Sequence, residues 1–576
     1  MGWPKQHLAS LTLALLVAVV LFGAWLRFRG AGDSLWLDEL HTAWTAQASG
    51  EELIDRAAMG NQSPLYYQGV AVIGRLLGPS EFSLRLLSLV AGSLLPVAVW
   101  GLARRTVVWD GQAGCVPYVP LLAAWLAAVD PLAIFYAQES RPYACVQLLA
   151  VAHVWILVEL LDKPSIRKRI AWIGCGGLLF YLHYTAALVV IAEVVFVLGW
   201  LIVAKRRTGQ FDRREFSSFT LDVGCLVLLT LPALPPLLEI YERRQNWALF
   251  VPRVGLTELA ELPRMIPWSV WGLVYPAVYA VALATSHPLS LRERARGRER
   301  SAAMETSTRE AAAHTECAGY FASAAAPSTW LLLTWLTIPV VFVAITSSAD
   351  WLRLWHVRYL IGVTPATLLL AAMLPRLAPR RFGVGIAIAL ALYAAWSSHQ
   401  TLDWLSLHGR PQRSENWHAA VDYLNAQSDR HPILLRSGLI EADALRDASD
   451  PQLIEYCRFP LTALYRVDRP EREIHPLTMT EAGRLTPALR DAMKPDPGET
   501  ESVWLVVRGD AARADLIARE LQQTFATQAM TIDASEERSF GRVQVRLLKL
   551  QNNAESGTNG SRRQQRAAAS KFEYPG

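Results

Sequence analysis

The chain has 576 residues, of which 52% are hydrophobic and only 19% charged, below the roughly one-quarter charged content of ordinary soluble domains. Fifty-six Lys and Arg against fifty-one Asp and Glu leave a formal charge of +5, too mild to imply a nucleic-acid partner. Six cysteines (Cys115, Cys145, Cys175, Cys225, Cys317 and Cys457) stand far apart with no CxxC pair, which excludes a disulfide scaffold and argues against a zinc ribbon.

What remains is a polytopic membrane protein, and 21 Trp fit a chain with many membrane-water interfaces to anchor. The uncharged run from Leu8 to Leu26 is long enough for about 30 Å of hydrocarbon. Lys5 precedes it, as in a signal peptide, but no small-x-small cleavage site lies before Arg27-Phe28-Arg29, so it reads as an uncleaved first helix. The first outer loop, 27–81, carries Trp36-Leu37-Asp38-Glu39, then an amphipathic stretch, then Asn61-Gln62-Ser63-Pro64-Leu65-Tyr66-Tyr67. Further apolar runs fall near 82–103, 116–130, 143–161, 170–186, 187–203, 219–238, 265–286, 328–347, 358–375 and 382–398. With the first, these make about eleven spans.

The basic residues give an independent reading of sidedness. Arg104-Arg105, Lys163 with Arg167-Lys168-Arg169, Lys205-Arg206-Arg207 with Arg213-Arg214, Arg292 to Arg300, and Arg376 with Arg380-Arg381 lie in alternate loops. A cytoplasmic N-terminus puts all of them on the cytoplasmic face, and an odd span count then puts the C-terminal part outside. The stretch 287–327 opens on alternating Arg and Glu and continues in Ala, Ser and Thr, a composition that predicts a disordered cytoplasmic insertion.

Near residue 400 the composition becomes that of a soluble domain. Asn416 to Asn425 reads as an amphipathic helix, Pro432 to Ser437 and Val503 to Arg508 as short strands, Ala511 to Phe525 as a helix and Arg542 to Leu550 as a last strand. The expected architecture is a transmembrane module over 1–399, a small extracytoplasmic α/β domain over 400–550 and a disordered tail over 551–576. The predicted location is the cytoplasmic (inner) membrane.

On this topology the outer side collects the chemistry-bearing residues. They are Asp38 and Glu39, Tyr66, Glu139 with Arg141 and Tyr143, His183 with Tyr184, Arg243 with Arg244, and Arg353, His356 and Arg358. Arginines outside run against the positive-inside bias, and a shared anionic ligand would account for them. Carboxylates beside arginines at a membrane surface suggest acid-base chemistry next to a phosphate. Plainer roles compete for each group: Asp38-Glu39 as a helix cap, Glu139 and Arg141 as an ion pair, His183 as an interfacial residue, Tyr66-Tyr67 and Trp351-Trp355 as an aromatic belt, and Arg243-Arg244 as solvated loop charges.

The motifs Ser34-Leu35-Trp36-Leu37-Asp38-Glu39, Ser63-Pro64-Leu65-Tyr66-Tyr67, Glu139-Ser140-Arg141-Pro142-Tyr143-Ala144 and Leu182-His183-Tyr184-Thr185 occur in that order. In them the chain resembles the polyprenyl-phosphate-dependent glycosyltransferases of the GT-C superfamily. It is most similar to the dolichyl-phosphate-mannose protein mannosyltransferase-like group and, within it, to the bacterial sugar-to-lipopolysaccharide transferases of the Rgt type. The resemblance covers residues 1 to about 425, including Glu415-Asn416-Trp417-His418 at the start of the soluble domain.

The resemblance implies a polyprenyl-phosphate sugar as donor and a lipid, glycan or protein acceptor. It also implies an acidic catalytic base in the first outer loop, a position that Asp38 occupies with Glu39 beside it. Arg141, Arg243, Arg244, Arg353 and Arg358 are the candidates to hold the donor phosphate. Tyr66, Glu139, Tyr143, His183, Tyr184 and His356 are candidates to line the substrate. The family often has His or an acidic residue before Pro-Leu-Tyr, where this chain has Gln62-Ser63; a divalent metal stays open, with no metal ligand assigned. The rival functions are a flippase for lipid-linked glycans, which would want mid-membrane charge and repeat symmetry, and a non-catalytic envelope binding protein.

Overall fold

The computed structural model describes residues 5–110, 118–208, 213–244, 250–270, 274–275, 277, 327–378, 380–404, 414–446, 450–480, 500–526 and 530–552. Most of the expected 265–286 span, the 287–327 insertion and the tail beyond Asn552 lie outside them. The chain divides into two units. One comprises Met1–Ala31, Gly50–Leu76 and Phe82–Arg410, the other Gly32–Ser49, Leu77–Glu81 and Pro411–Gly576.

The first unit is helical. Seven helices among the described residues are long and apolar enough to cross a membrane: Ala9–Phe28, Glu81–Trp109, Tyr143–Asp162, Tyr184–Arg206, Arg213–Glu242, Pro327–Ser348 and Phe382–Leu402. A further apolar pair, Val119–Val129 and Pro131–Ala137, meets at 55°, the geometry of a broken span or a re-entrant loop. Asp130-Pro131 explains the bend. Proline has no N–H to continue the helix, and the Asp130 carboxylate accepts from the Ala133 amide at 2.8 Å, capping a new helix.

Two expected spans are shorter than a full crossing. Ile166–Leu182 starts from a Ser165 cap and puts Arg167, Lys168 and Arg169 in its first turn. The region 358–375 begins as two 3₁₀ turns, Val357–Tyr359 and Ile361–Val363, before the helix Thr364–Met373. Of the expected count of about eleven, seven spans, or eight if the bent pair is one, are found among the described residues, and most of the expected 265–286 span lies outside them.

Several buried polar groups of this unit are paired with one another, as an interior without water favours. Arg27 is fully buried and donates to the carbonyls of Gly23, Ala127 and Ala128 at 2.8–2.9 Å. His153 Nδ1 meets Glu193 at 2.9 Å, and Trp172 Nε1 donates to the other oxygen of that carboxylate at 2.7 Å. Arg376 pairs with Asp110 at 2.7 Å.

The second unit is built on a five-stranded sheet of order β2-β1-β3-β5-β4. Its strands are β1 (Ile433–Arg436), β2 (Ile474–Pro476), β3 (Thr500–Arg508), β4 (Met530–Phe540) and β5 (Val543–Asn552). β2, β1 and β3 run parallel, with Leu434 opposite Leu505, whereas β5 is antiparallel to both β3 and β4. Leu434, Leu477, Val503, Leu505, Val507 and Leu548 form a core with Ala514, Ile517 and Leu521 of the helix Ala511–Ala526. The helix Trp417–Ala426 buries Trp417, Ala420, Val421 and Leu424, the i, i+3, i+4, i+7 stripe of an amphipathic helix. Gly32–Ser49 belongs to this unit through Leu35, Leu37, Leu40, Ala43 and Trp44, all buried. Trp44 stacks on Phe459 and meets Tyr456 edge-on, with ring centroids 6.1 and 5.4 Å apart.

Candidate active site

Asp38 and Glu39 lie in the first turn of the helix Leu37–Gln47, in the second unit. An exposed helix start leaves its leading N–H groups without intrahelical partners, and here three successive amides are each met by a different side chain. The Leu35 N–H donates to Tyr465 Oη at 2.8 Å, the Trp36 N–H to Glu39 Oε2 at 3.4 Å and the Leu37 N–H to Glu415 Oε2 at 3.1 Å.

The two carboxylates have different surroundings. Glu39 is 1% exposed and reaches back to its own cap as in a capping box, whereas Asp38 is half-buried. The side chains gripping the segment are themselves held. Glu415 accepts from Arg508 Nε at 2.7 Å and from Trp417 Nε1 at 3.0 Å. Tyr465 donates to Glu81 at 3.1 Å and stacks flat on His418 at 4.9 Å.

In the membrane unit the structure draws together Tyr66, Arg141, Tyr143, His183 and Arg358. Arg141 is 4% exposed and donates to Tyr67 Oη at 3.0 Å, with its guanidinium 6.0 Å from the Tyr143 ring. Tyr66 exchanges a hydrogen bond with Ser88 at 2.8 Å, and Ser88 also donates to the Arg141 carbonyl at 2.7 Å. The His183 ring lies 5.7 Å from Tyr143 and 6.2 Å from Tyr359, within electrostatic reach of both Arg141 and Arg358. Arg358 stacks on Tyr359 at 5.0 Å and donates to its hydroxyl at 3.1 Å. Glu139, 3% exposed, joins Arg141 through a tight turn in which the Arg141 N–H donates to the Glu139 carbonyl at 2.8 Å.

The other expected residues have partners elsewhere in the protein or close in sequence. Arg243 donates to the Ala58 carbonyl at 3.2 Å, and Arg244 folds over Tyr241 at 4.1 Å. Arg353 is bound by Asp350 at 2.7 Å. The exposed His356 accepts from the Arg358 N–H at 3.2 Å, capping a 3₁₀ turn, and Tyr184 packs against Phe180 at 5.3 Å. Among the described residues, no group of three or more His, Cys, Asp or Glu side chains is arranged to hold a metal ion.

Sequence reasoning gave no site role to Tyr67, Ser88, Tyr359, Glu415 or Tyr465. Glu415 and Tyr67 sit inside quoted motifs and could have been flagged. Ser88 and Tyr465 carry no local signal, because only folding brings them to the positions they serve.

Seven long apolar helices, a bent apolar helix pair and a small α/β unit define a multi-pass membrane protein. Comparison with solved structures supports the same class. ArnT from Cupriavidus metallidurans in the apo state aligns at TM-score 0.50 and 14% identity, over 94% of this chain and 98% of that one. The chain therefore shares the fold of that protein. ArnT bound to undecaprenyl phosphate aligns at TM-score 0.47 with 14% identity, again over 94% and 98% of the two chains. Archaeal oligosaccharyltransferase AglB from Archaeoglobus fulgidus, in complex with an inhibitory peptide and a dolichol-phosphate, aligns at 0.40 with 14% identity, over 74% and 59%. Residues 61–233 match the family described as dolichyl-phosphate-mannose-protein mannosyltransferase. No curated protein sequence is significantly similar to the chain.

Proposed function

We propose that the chain is an integral-membrane glycosyltransferase that moves a sugar from a polyprenyl-phosphate donor to an extracytoplasmic acceptor hydroxyl, with inversion and with Asp38 as the general base. The observation that carries the reading is the first turn of Leu37–Gln47. There Glu39 is buried in the cap, whereas Asp38 is only half-buried, so the two carboxylates of the pair differ in their exposure to solvent. The family matching residues 61–233 is described by a dolichyl-phosphate-mannose donor, which supports a lipid-phosphate sugar here.

In the proposed step the acceptor oxygen bonds to the anomeric carbon and its proton passes to Asp38. The bond from that carbon to the phosphate oxygen breaks, and the electron pair stays on the polyprenyl phosphate. Negative charge grows on the leaving phosphate, so fixed cations stabilise the transition state. Arg141 and Arg358 are the guanidiniums proposed to supply it. Tyr67 orients Arg141, and Tyr359 orients Arg358. Acceptor choice among lipid, glycan and protein is left to experiment, as is hexosyl against pentosyl transfer.

The test is an initial-rate assay of purified protein with a panel of polyprenyl-phosphate sugars and lipid, glycan and peptide acceptors. Asp38→Asn keeps the shape of the side chain but cannot take the proton. Transfer should fall by about 10²–10⁴-fold, the usual contribution of general-base catalysis, with the melting temperature retained. Wild-type transfer by Asp38→Asn would remove the base assignment.

A further inference from the structure

The segment that carries Asp38 reaches it in extended form, with Trp36 at φ −90° and ψ 174°, and turns helical at Leu37. Nothing in the helix itself fixes where that turn begins, because the amides of residues 35 to 37 precede the first intrahelical donor. Glu39 is local and would cap the helix wherever it lay. Tyr465 and Glu415 are remote in sequence, and they take the amides on either side of Trp36. We infer that Glu415 and Tyr465 are positioning residues for Asp38, an inference that rests on Asp38 being the base: they fix the entry of its helix and so the place of its carboxylate.

Glu415 is well suited to that work. Its side chain is 2% exposed, and its two oxygens are shared among three donors from separate elements: Arg508 at the end of β3, the Trp417 indole and the Leu37 amide. The first two hold the carboxylate still, so the third contact locates the Leu37 backbone. The backbone around Glu415 is fixed in turn by the β4–β5 turn: the Asn416 N–H donates to the Phe540 carbonyl at 3.2 Å and the Arg542 N–H to the Ser414 carbonyl at 2.6 Å. Tyr465 is anchored on its far side by Glu81 and His418, so its hydroxyl is oriented to accept from Leu35. A base misplaced by about 1 Å can lose on the order of 100-fold in rate, which makes these remote side chains matter for turnover without touching substrate.

The experiment measures kcat, donor KM and melting temperature in nanodiscs for Glu415→Gln, Tyr465→Phe, Asp38→Asn and the double variant Asp38→Asn/Glu415→Gln. Glu415→Gln keeps the size of the side chain but loses the charge facing Arg508, and Tyr465→Phe deletes one oxygen at the other end of the segment. Each single variant should lower kcat by about 10- to 100-fold with donor KM unchanged. Adding Glu415→Gln to Asp38→Asn should cost nothing further, since a group that acts only through Asp38 has no effect once the base is gone.

Wild-type kcat in Tyr465→Phe and Glu415→Gln, with Asp38→Asn inactive, overturns the inference and leaves the base assignment standing. A further loss in the double variant also overturns it, by showing that Glu415 acts on something other than Asp38. Full activity of Asp38→Asn is the separate result that removes the base itself. If Glu415→Gln does not fold, Tyr465→Phe carries the test alone.

Discussion

At the residue scale, burial separates groups that the sequence offers as equals. Asp38 and Glu39 are adjacent carboxylates, but a helix turns about 100° per residue and cannot point both the same way. Glu39 is directed inward, to the Trp36 amide. Glu39→Gln should therefore keep the cap through its amide oxygen and retain most activity, whereas Glu39→Ala should lose about 1 kcal/mol of stability, the usual worth of a cap, read as a lower melting temperature. The arginines divide in the same way. Arg353 is bound by Asp350 at 2.7 Å, so part of its charge is already balanced. Arg141 is 4% exposed, and its partners include a tyrosine hydroxyl and an aromatic face. A hydrogen bond to a charged group is worth about 1.5–3 kcal/mol, so Arg141→Ala should raise donor KM by roughly 10- to 100-fold. Arg353→Ala should change it far less, and steady-state kinetics on both variants decides; equal effects would return Arg353 to the phosphate.

At the scale of elements, turns and ion pairs in the second unit set how firmly the Asp38 segment is held. Gly541 sits between β4 and β5 at φ +66°, and a Cβ there would lie 2.0 Å from the Ser414 carbonyl oxygen, beside the bridge that pairs Gly541 with Glu415. Gly541→Ala should cost at least the roughly 1–2 kcal/mol of a left-handed non-glycine residue and should lower kcat as well, because the displaced backbone carries Glu415; thermal melting and initial rates check the two effects separately. Asp429 gives this unit a pH response. Burial would raise its pKa, but the Trp504 indole, the His431 amide and the Arg472 guanidinium outweigh it and hold the carboxyl below the usual carboxylate range. A depressed folded-state pKa contributes stability above the unfolded value of about 3.9 and loses it as pH falls through the folded one. Wild-type melting temperature should thus fall more steeply below about pH 4 than that of Asp429→Asn. The sequence made β3, β5 and the helices Trp417–Ala426 and Ala511–Ala526 legible because each has an apolar stripe at its own period. It hid β2, three residues long, and β4, whose Asp533-Ala534-Ser535-Glu536-Glu537-Arg538 run has no apolar alternation. Neither strand can be recognised apart from the partner it pairs with.

At the scale of the whole molecule, hydropathy was a good guide to long spans and a poor one to broken ones. Ala9–Phe28 or Pro327–Ser348 is uniformly apolar and must be helical in hydrocarbon, where no other conformation satisfies the backbone. The run 116–130 ends where Asp130-Pro131 bends the chain into a second short apolar helix that hydropathy did not mark off, and 358–375 opens on 3₁₀ turns because His356 caps a short turn first. The candidate site was legible as a set of polar residues on one proposed face, but its grouping into two units was not. Gly32–Ser49 joins the second unit through buried Leu and Trp side chains whose partners lie some 400 residues further on. Sidedness still rests on charge: Lys and Arg crowd the loops assigned to the cytoplasm, and retention of Lys and Arg inside is the main determinant of orientation. The proposed orientation puts 287–327 in the cytoplasm and the second unit, with Asp38, outside. Single cysteines introduced at Ser301 and at Asp468 in a variant lacking the native cysteines should then behave oppositely in intact cells, with an impermeant maleimide reaching Asp468→Cys and reaching Ser301→Cys only after permeabilisation. Labelling of both in intact cells would put 287–327 on the same outer face as the proposed base and overturn the orientation read from the basic loops.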